Sequence, residues 1–351
     1  MSKRLSRWLP AAIIPVAVVG AAIAIPAAAG ASPELPERTA EEVLVSIAEN
    51  TADAYSGTVE QTSDLGLPEL PSTGMGSADG AADAMELLTA DHELRVFVGG
   101  DDRMRLQILD RLAERNVVVN GDDVWLYDSR ANAATHLVLP EGARASAPAT
   151  GWTPEEAAES LLEAIEPSTD VTVDGTAMVA GRAAYVLTLT PDEGEDTLVA
   201  SASLAVDAET GLPLSVEVDA VGQDEPAFSV AYTSIDFTAP DAGLFEFEPP
   251  AGATVEEEQL PSDLGEHSAD GVDHPEPVLS GSGWDAVVAL PVGDALASGD
   301  PEAARMLAQL TTAVDGGRAI ETSLVSVLLT DDGRVLAGAV PVDRLVAAVA
   351  E

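Results

Sequence analysis

Apolar positions recur along this chain in two rhythms, one near four residues and one of two. The first appears in "TAEEVLVSIAENTADAY", where Val43, Leu44, Ile47 and Ala48 share one side of a helix. Thr39 and Glu42 stand at the spacing of a capping box and mark its start. The second rhythm follows at once: Gly57 to Ser63 alternates as a strand, and "LGLPELPSTGMGSADGAADA" then matches neither period. This soft stretch at 64–84 reads as a mobile flap at the rim of a cavity or as a tolerated surface insertion.

From Leu88 strand follows strand. "HELRVFVGG" places Leu94, Val96 and Val98 on one face, and "RMRLQILD" sets Leu106 and Ile108 against Arg105 and Gln107. "AERNVVVNGDDVWLYD" is a hairpin around Asn120-Gly121, and "ATHLVLP" completes the run. A second helix is expected over "TPEEAAESLLEAI". Thr153 caps it, Pro154 takes its first position, Glu155 and Glu156 suit its positive end, and Ala157, Leu161, Leu162 and Ile165 are apolar. Strands resume in "GRAAYVLTLTP", "LVASASLAVDAETGLPLSVEVDA" and "PAFSVAYTSIDF". Leu214, Val216 and Val218 there oppose Ser215, Glu217 and Asp219, which predicts one buried and one wet face. "LFEFEPPAGATV" predicts a short last strand with a Pro-Pro stop.

Residues 256–277 hold eight acids and no Lys or Arg, with several Pro and Gly, and read as an acidic linker. A smaller α+β unit is expected over 278–351: strand "WDAVVALP", helix "DPEAARMLAQLTTAV", a hairpin turning at Asp332-Gly333, and helix "VDRLVAAVAE". The N-terminus reads as a signal peptide or membrane anchor over 1–31. Lys3, Arg4 and Arg7 precede an uncharged run from Trp8 to Ala31 that carries small-residue cleavage sites and is also long enough to span a bilayer. The remainder is thereby expected to be extracytoplasmic, secreted or held at the cytoplasmic membrane.

Charge narrows the function. With 61 acidic residues against 16 basic ones, the net charge is −45, and such a surface repels nucleic acid and anionic head groups. The absence of cysteine removes disulfides, thiolate metal sites, a cysteine nucleophile and a lipid-attachment cysteine. There is no G-x-S-x-G, Walker, H-E-x-x-H or G-x-G-x-x-G motif. His267, Asp270, Asp273 and His274 are acceptable metal ligands but sit in the solvated linker, and His136 reads as an ordinary sheet residue. Asp101-Asp102, Asp122-Asp123 and Asp331-Asp332 fall at turns, where hydrated carboxylates favour the geometry. No cofactor or metal is expected. A hydrolase working through isolated carboxylates is the enzyme-class alternative.

The phrases "NGDDVWLYDSRANAATHLVLP", "TGLPLSVEVDA" and "LFEFEPPAGATV", in that order after a helix and a strand, resemble the LolA/LolB-like periplasmic lipoprotein-carrier superfamily. This includes the outer-membrane lipoprotein-sorting homologues of high-GC Gram-positives and the N-terminal domain of RseB/MucB regulators. The resemblance spans about residues 38–255. It implies an α+β fold: a half-open antiparallel β-barrel with a helical lid, LolA-like, binding lipid or lipidated-protein acyl chains without catalysis. It would place Val43, Leu44 and Ile47 with Leu161, Leu162 and Ile165 in the lid. Trp125, Tyr127, Tyr185, Leu187 and Leu189 would be lining residues of the sheet. The chain has no counterpart of the arginine that holds the carriers' lid closed, and it adds a C-terminal unit. That plan is closer to the RseB-like regulators, whose partner is a membrane anti-sigma factor.

Overall fold

The computed structural model describes residues 33–66, 90–100, 102–110, 113–139, 153–154, 158, 162, 168–259, 278–291 and 311–349. The first helix, Ala40–Ala48, begins where its cap predicts: the Glu42 amide donates to Thr39 Oγ1 at 3.2 Å, and the Thr39 amide donates to Glu42 Oε2 at 2.8 Å. It feeds directly into β1, Ala54–Ser63.

Among the described residues twelve strands form one open sheet. In chain order β1 is followed by β2 (His92–Gly99), β3 (Arg103–Asp110), β4 (Ala113–Asn120), β5 (Asp123–Asp128) and β6 (Ala133–Val138). β7 (Thr169–Val179), β8 (Arg182–Pro191), β9 (Val199–Asp207), β10 (Pro213–Ala220), β11 (Phe228–Asp236) and β12 (Thr254–Gln259) complete it. The spatial order is β12-β6-β5-β4-β3-β2-β1-β11-β10-β9-β8-β7, with β1 joining two meandering arms. Neighbours run antiparallel except β12 and β6, which are parallel. Where the resemblance implies a half-open barrel with a helical lid, the strands form a large open antiparallel sheet and not a closed barrel, its edges β12 and β7 unpaired with each other. In the β4–β5 hairpin Asn120 pairs with Asp123, so the turn is Gly121-Asp122, with Gly121 at φ +61°.

Three expectations need correction. β7 is an eleven-residue strand that alternation missed, because Asp174-Gly175 reads as a turn; in fact the ladder bulges between Val173 and Gly175 and continues. "LFEFEPP" is no sheet strand. Asp241 caps a 3-10 turn, Ala242–Phe245, and residues 237–253 form a strap across the back of the sheet from β11 to its far edge. Seven strand spacings, roughly 34 Å, lie between those ends, well within the reach of seventeen residues. After Pro249-Pro250 the chain re-enters the sheet as β12, so Glu256–Gln259 belongs to a strand and not to the linker.

A second sheet has six strands among the described residues: β13 (Val278–Ser280), β14 (Val287–Pro291), β15 (Thr312–Val314), β16 (Gly317–Glu321), β17 (Ser326–Thr330) and β18 (Arg334–Gly338). Their order is β13-β14-β18-β17-β16-β15. Thr312–Val314 is extended where the helical period predicted helix, and residues 300–310 lie outside the described residues. The C-terminal helix, Val342–Val349, packs Leu345 and Ala348 against Val287, Ala319, Leu328 and Leu336.

This smaller unit docks on one end of the large sheet. The Leu198 amide and Thr197 Oγ1 both donate to the Ala339 carbonyl at 2.8 Å. The Ser323 amide and hydroxyl donate to the Leu65 and Asp64 carbonyls at 3.1 and 3.0 Å, and Trp284 Nε1 donates to Thr169 Oγ1 at 2.8 Å. Trp284, Leu324 and Val325 join the main core there.

Candidate functional site

The two faces of the large sheet follow from register, because directly opposed residues project to the same side. One row runs Val173, Leu187, Leu204, Val216 and Val230 across β7–β11, and ends on Gln61 and His92 of β1 and β2. The next rows carry Tyr232, Val59, Leu94 and Ile108, then Val96, Leu106, Val117 and Leu126. This inner face is therefore apolar over nearly the whole sheet.

Its two arms are covered differently. Over β7–β9 the N-terminal segment is tied down: Thr176 Oγ1 donates to the Pro33 carbonyl, and Tyr185 Oη donates to the Pro36 carbonyl, both at 2.9 Å. The Arg38 guanidinium lies 4.9 Å from the Tyr185 ring centre. Val43 of the first helix is fully buried, and Leu44 and Ile47 pack against the same core. At the β9–β10 turn Gly211 passes under the helix at φ +80°; a Cβ there would lie 1.9 Å from the Ser46 carbonyl oxygen. Ala158, with no exposed surface, and Leu162 bring a second helical segment to this core. Beneath, Tyr185, Leu187, Leu189, Leu204 and Leu214 are buried. On the β3–β6 arm, by contrast, Met104, Val117, Val119, Leu126 and Leu137 are only half-buried. The apolar inner face thus continues from a sealed core onto a partly open shelf.

The outer face of that arm carries an aromatic cluster under the strap. Phe245 is buried against Gly99, where a Cβ would lie 2.7 Å from its ring, and Arg105 Nη1 donates to the Leu244 carbonyl at 3.1 Å. Phe247, two residues on and so on the same side of an extended segment, packs on Trp125 and Tyr127 with ring centres 5.5 and 5.6 Å away. The Trp125 and His136 rings stack at 4.3 Å, and His136 Nε2 lies 2.8 Å from Asp123 Oδ1. Spacing along the chain gave no sign of that acid; the β5–β6 hairpin supplies it. Among the described residues no hydroxyl hydrogen-bonds to this imidazole.

Of the expected lining, the structure gathers Val43, Leu44, Ile47, Leu162, Tyr185, Leu187 and Leu189 about one core. Trp125 and Tyr127 stand on the opposite face. Leu161, Ile165 and the 67–84 portion of the soft stretch lie outside the described residues, as do His267, Asp270, Asp273 and His274. Gln61 and His92, 1% and 7% exposed on the inner face, were not anticipated; strand alternation marks their side of the sheet but not their burial. Neither lacks a partner. Met104, Val117, Val119, Leu126 and Leu137 lie in stretches the sequence predicts as strands, but nothing there marks a half-open shelf.

The strongest charge cluster sits at the β8–β9 end. Arg182 donates to Asp207 Oδ2 at 2.7 Å and Oδ1 at 2.9 Å, and to Glu209 at 2.6 Å. Burial works against the Asp207 carboxylate, but Arg182 and the Thr210 and Glu209 groups outweigh it and hold its pKa below the usual carboxylate value. Those bonds close the turn into β10, beneath the first helix, and serve architecture. Among the described residues no group of three or more His, Asp or Glu side chains could hold a metal ion, and no helix is long and apolar enough to cross a membrane.

No family model matches the chain, and no curated protein does. Solved structures do. The chain is similar to MucB. In the MucA/MucB complex of Pseudomonas aeruginosa the match has 21% identity, covers 87% of this chain and 95% of that one, and has a TM-score of 0.43. An uncharacterised conserved protein of Thermus thermophilus matches at 13% identity over 62% of this chain and 99% of its own, with a TM-score of 0.35. A LolA superfamily protein of Nitrosomonas europaea matches at 11% identity, covering 60% and 99%, with a TM-score of 0.27. What the site does follows from this chain's own geometry.

Proposed function

We propose that the chain is a non-enzymatic, extracytoplasmic binding protein that holds an acyl chain of a lipid or lipidated protein against the inner face of its sheet. One observation carries this reading. The inner face is apolar across the register of the large sheet, sealed under the first helix on one arm and only half-buried over Met104, Val117, Val119, Leu126 and Leu137 on the other. Each methylene removed from water onto that shelf contributes about 0.8 kcal/mol, so a chain of twelve to sixteen carbons supplies about 10 kcal/mol before the cost of ordering it. The first helix and the segment bearing Ala158 and Leu162 form the lid. The domain then runs over 38–259 with its last strand included, an acidic linker follows, and residues 278–351 form the second unit. Residues 1–31 direct export, as a cleaved signal or as an anchor.

The test is organic extraction and native mass spectrometry of the purified protein. Acyl ligand in a fixed stoichiometry supports the reading; a ligand-free protein that also fails to take up a fluorescent fatty acid sinks it.

A second reading, an RseB-like regulator that binds a membrane anti-sigma factor, is favoured by the hydrogen-bonded docking of the C-terminal unit at Asp64–Leu65, Thr169 and Thr197–Leu198. Such a joint lets occupancy of one unit bear on contacts of the other. Pull-down of a membrane anti-sigma protein with the full chain, and its loss when lipid is added, distinguishes it from a simple carrier.

A further inference from the structure

The half-buried shelf is not the same from end to end. Nearest the β4–β5 turn, Met104, Val119, Val124 and Leu137 are opposed in turn across β3, β4, β5 and β6, and this row is apolar. Two residues further along each strand the row is Leu106, Val117 and Leu126, also apolar. The third row is Ile108, Arg115 and Asp128. Gln61 and His92, opposed on β1 and β2, lie towards that same end, where β1 runs into the joint with the C-terminal unit at Asp64–Leu65. Charge on the inner face of this arm thus gathers at one end of the shelf.

In these three rows Arg115 is the one basic residue. It is half-buried, as Val117 and Leu126 are. A molecule lying on those two side chains reaches the arginine two residues along the same strand, about 7 Å away. Arg115 is also engaged within the protein, which holds it in place. A guanidinium carries five donors in a planar fork, so engagement by the protein and by a ligand are compatible. Asp128, opposed to Arg115, is turned to its own hairpin: its Oδ1 accepts from the Arg130 and Ala131 amides at 2.7 and 3.0 Å.

Resting on the acyl-binding reading above, we propose that the shelf takes its ligand in one orientation. An anionic oxygen head group, carboxylate or phosphodiester, sits at Arg115, and the acyl chain runs over Val117 and Leu126 to Val119 and Leu137. Arg115 to Val119 spans about 13 Å of strand. The reverse orientation would set the charged head among Val119, Val124 and Leu137, where a charge without a partner is costly to bury. The net charge of −45 does not oppose this arrangement. Diffuse surface charge is screened within about 8 Å at physiological salt, whereas a head group on the shelf meets the guanidinium at contact.

The test uses the full chain with two stearate probes, one spin-labelled near the carboxylate and one near the terminal methyl, read by broadening of backbone amide NMR signals. The first label should broaden Arg115 and Asp128 most, and the second Val119, Val124 and Leu137. The reverse pattern, or equal broadening by both labels, overturns the proposal while leaving acyl binding intact. Uptake of neither probe overturns the acyl-binding reading and this orientation with it. Arg115→Met should weaken stearate by about tenfold, the cost of losing a charge-assisted bond, and leave uncharged methyl stearate almost unaffected. An equal loss for both ligands refutes a head-group role. Arg115→Lys should restore most of the preference for the acid. The label pattern needs no variant and decides the orientation even if Arg115→Met fails to fold. Competition by lysophosphatidylglycerol separates the sources: displacement below the stearate concentration assigns a phosphodiester, and displacement only above it a free acid.

Discussion

Glu217 makes the most direct energetic test of the structure. Burial, then the charge of Asp219, push its carboxyl up from 4.5 to about 7, against an opposing hydrogen bond from Ser203. The folded chain therefore holds this proton more tightly than the unfolded chain does. The protonated group's contribution to stability is complete below pH 4.5 and is lost as pH rises through about 7. A gap of that size corresponds to about 3 kcal/mol as an upper bound, at about 1.4 kcal/mol for each unit. Because Glu217 keeps some exposure, solvent screening lowers the realistic figure to about 1–2 kcal/mol. Glu217→Gln replaces the ionised group by a neutral one of nearly the same shape. The variant should be more stable than the parent by about 1–2 kcal/mol at pH 8, with the advantage shrinking towards zero at pH 4.5. Urea denaturation of both proteins at pH 4.5, 6 and 8 measures it; taking the difference cancels the other carboxylates. An advantage that does not change with pH, or a variant less stable at pH 8, would refute the burial argument.

Gly211→Ala places a Cβ against the Ser46 carbonyl at a positive φ, and should cost about 2 kcal/mol or more in thermal or urea melts while loosening the first helix. Phe245→Ala empties a buried site under the strap and should cost about 3–5 kcal/mol, whereas the half-buried Phe247→Ala should cost less; paired denaturation curves check the order. Asp207→Asn leaves Arg182 without its bidentate partner and should destabilise by about 3 kcal/mol at pH 7, with the difference from the parent fading as pH falls below the ordinary carboxylate pKa, since the parent loses the same contribution there. Leu126→Glu, on the half-buried shelf, should reduce co-purifying acyl ligand several-fold with little change in melting; full lipid occupancy in a folded variant would place the ligand elsewhere.

Local signals determined much of this protein by themselves. The Thr39–Glu42 cap, the β4–β5 hairpin (its turn at Gly121-Asp122, one residue on from the expected Asn120-Gly121), the Asp332-Gly333 hairpin, the C-terminal helix and most strands of the large sheet follow from spacings within a few residues. The cap, the turns and the helix make their hydrogen bonds within that same range, whereas the strands pair over longer separations, Ser56 with Asp236 at the extreme. Alternation also separated Leu214, Val216 and Val218 from Ser215, Glu217 and Asp219 correctly. Only the tertiary structure decided what each side of a strand meets. Trp125 and Tyr127 alternate as cleanly as Tyr185 and Leu187, yet the register across β4 and β5 turns them outward, where Phe247 of a strap about 120 residues later covers them. β7 hid behind Asp174-Gly175, because a bulge and a turn share a signature until a partner strand is present. The polar side of β10 reads as wet in any window of sequence. Ser229, its neighbour on β11, is buried all the same, because solvent is excluded by neighbours brought together only when distant strands pair.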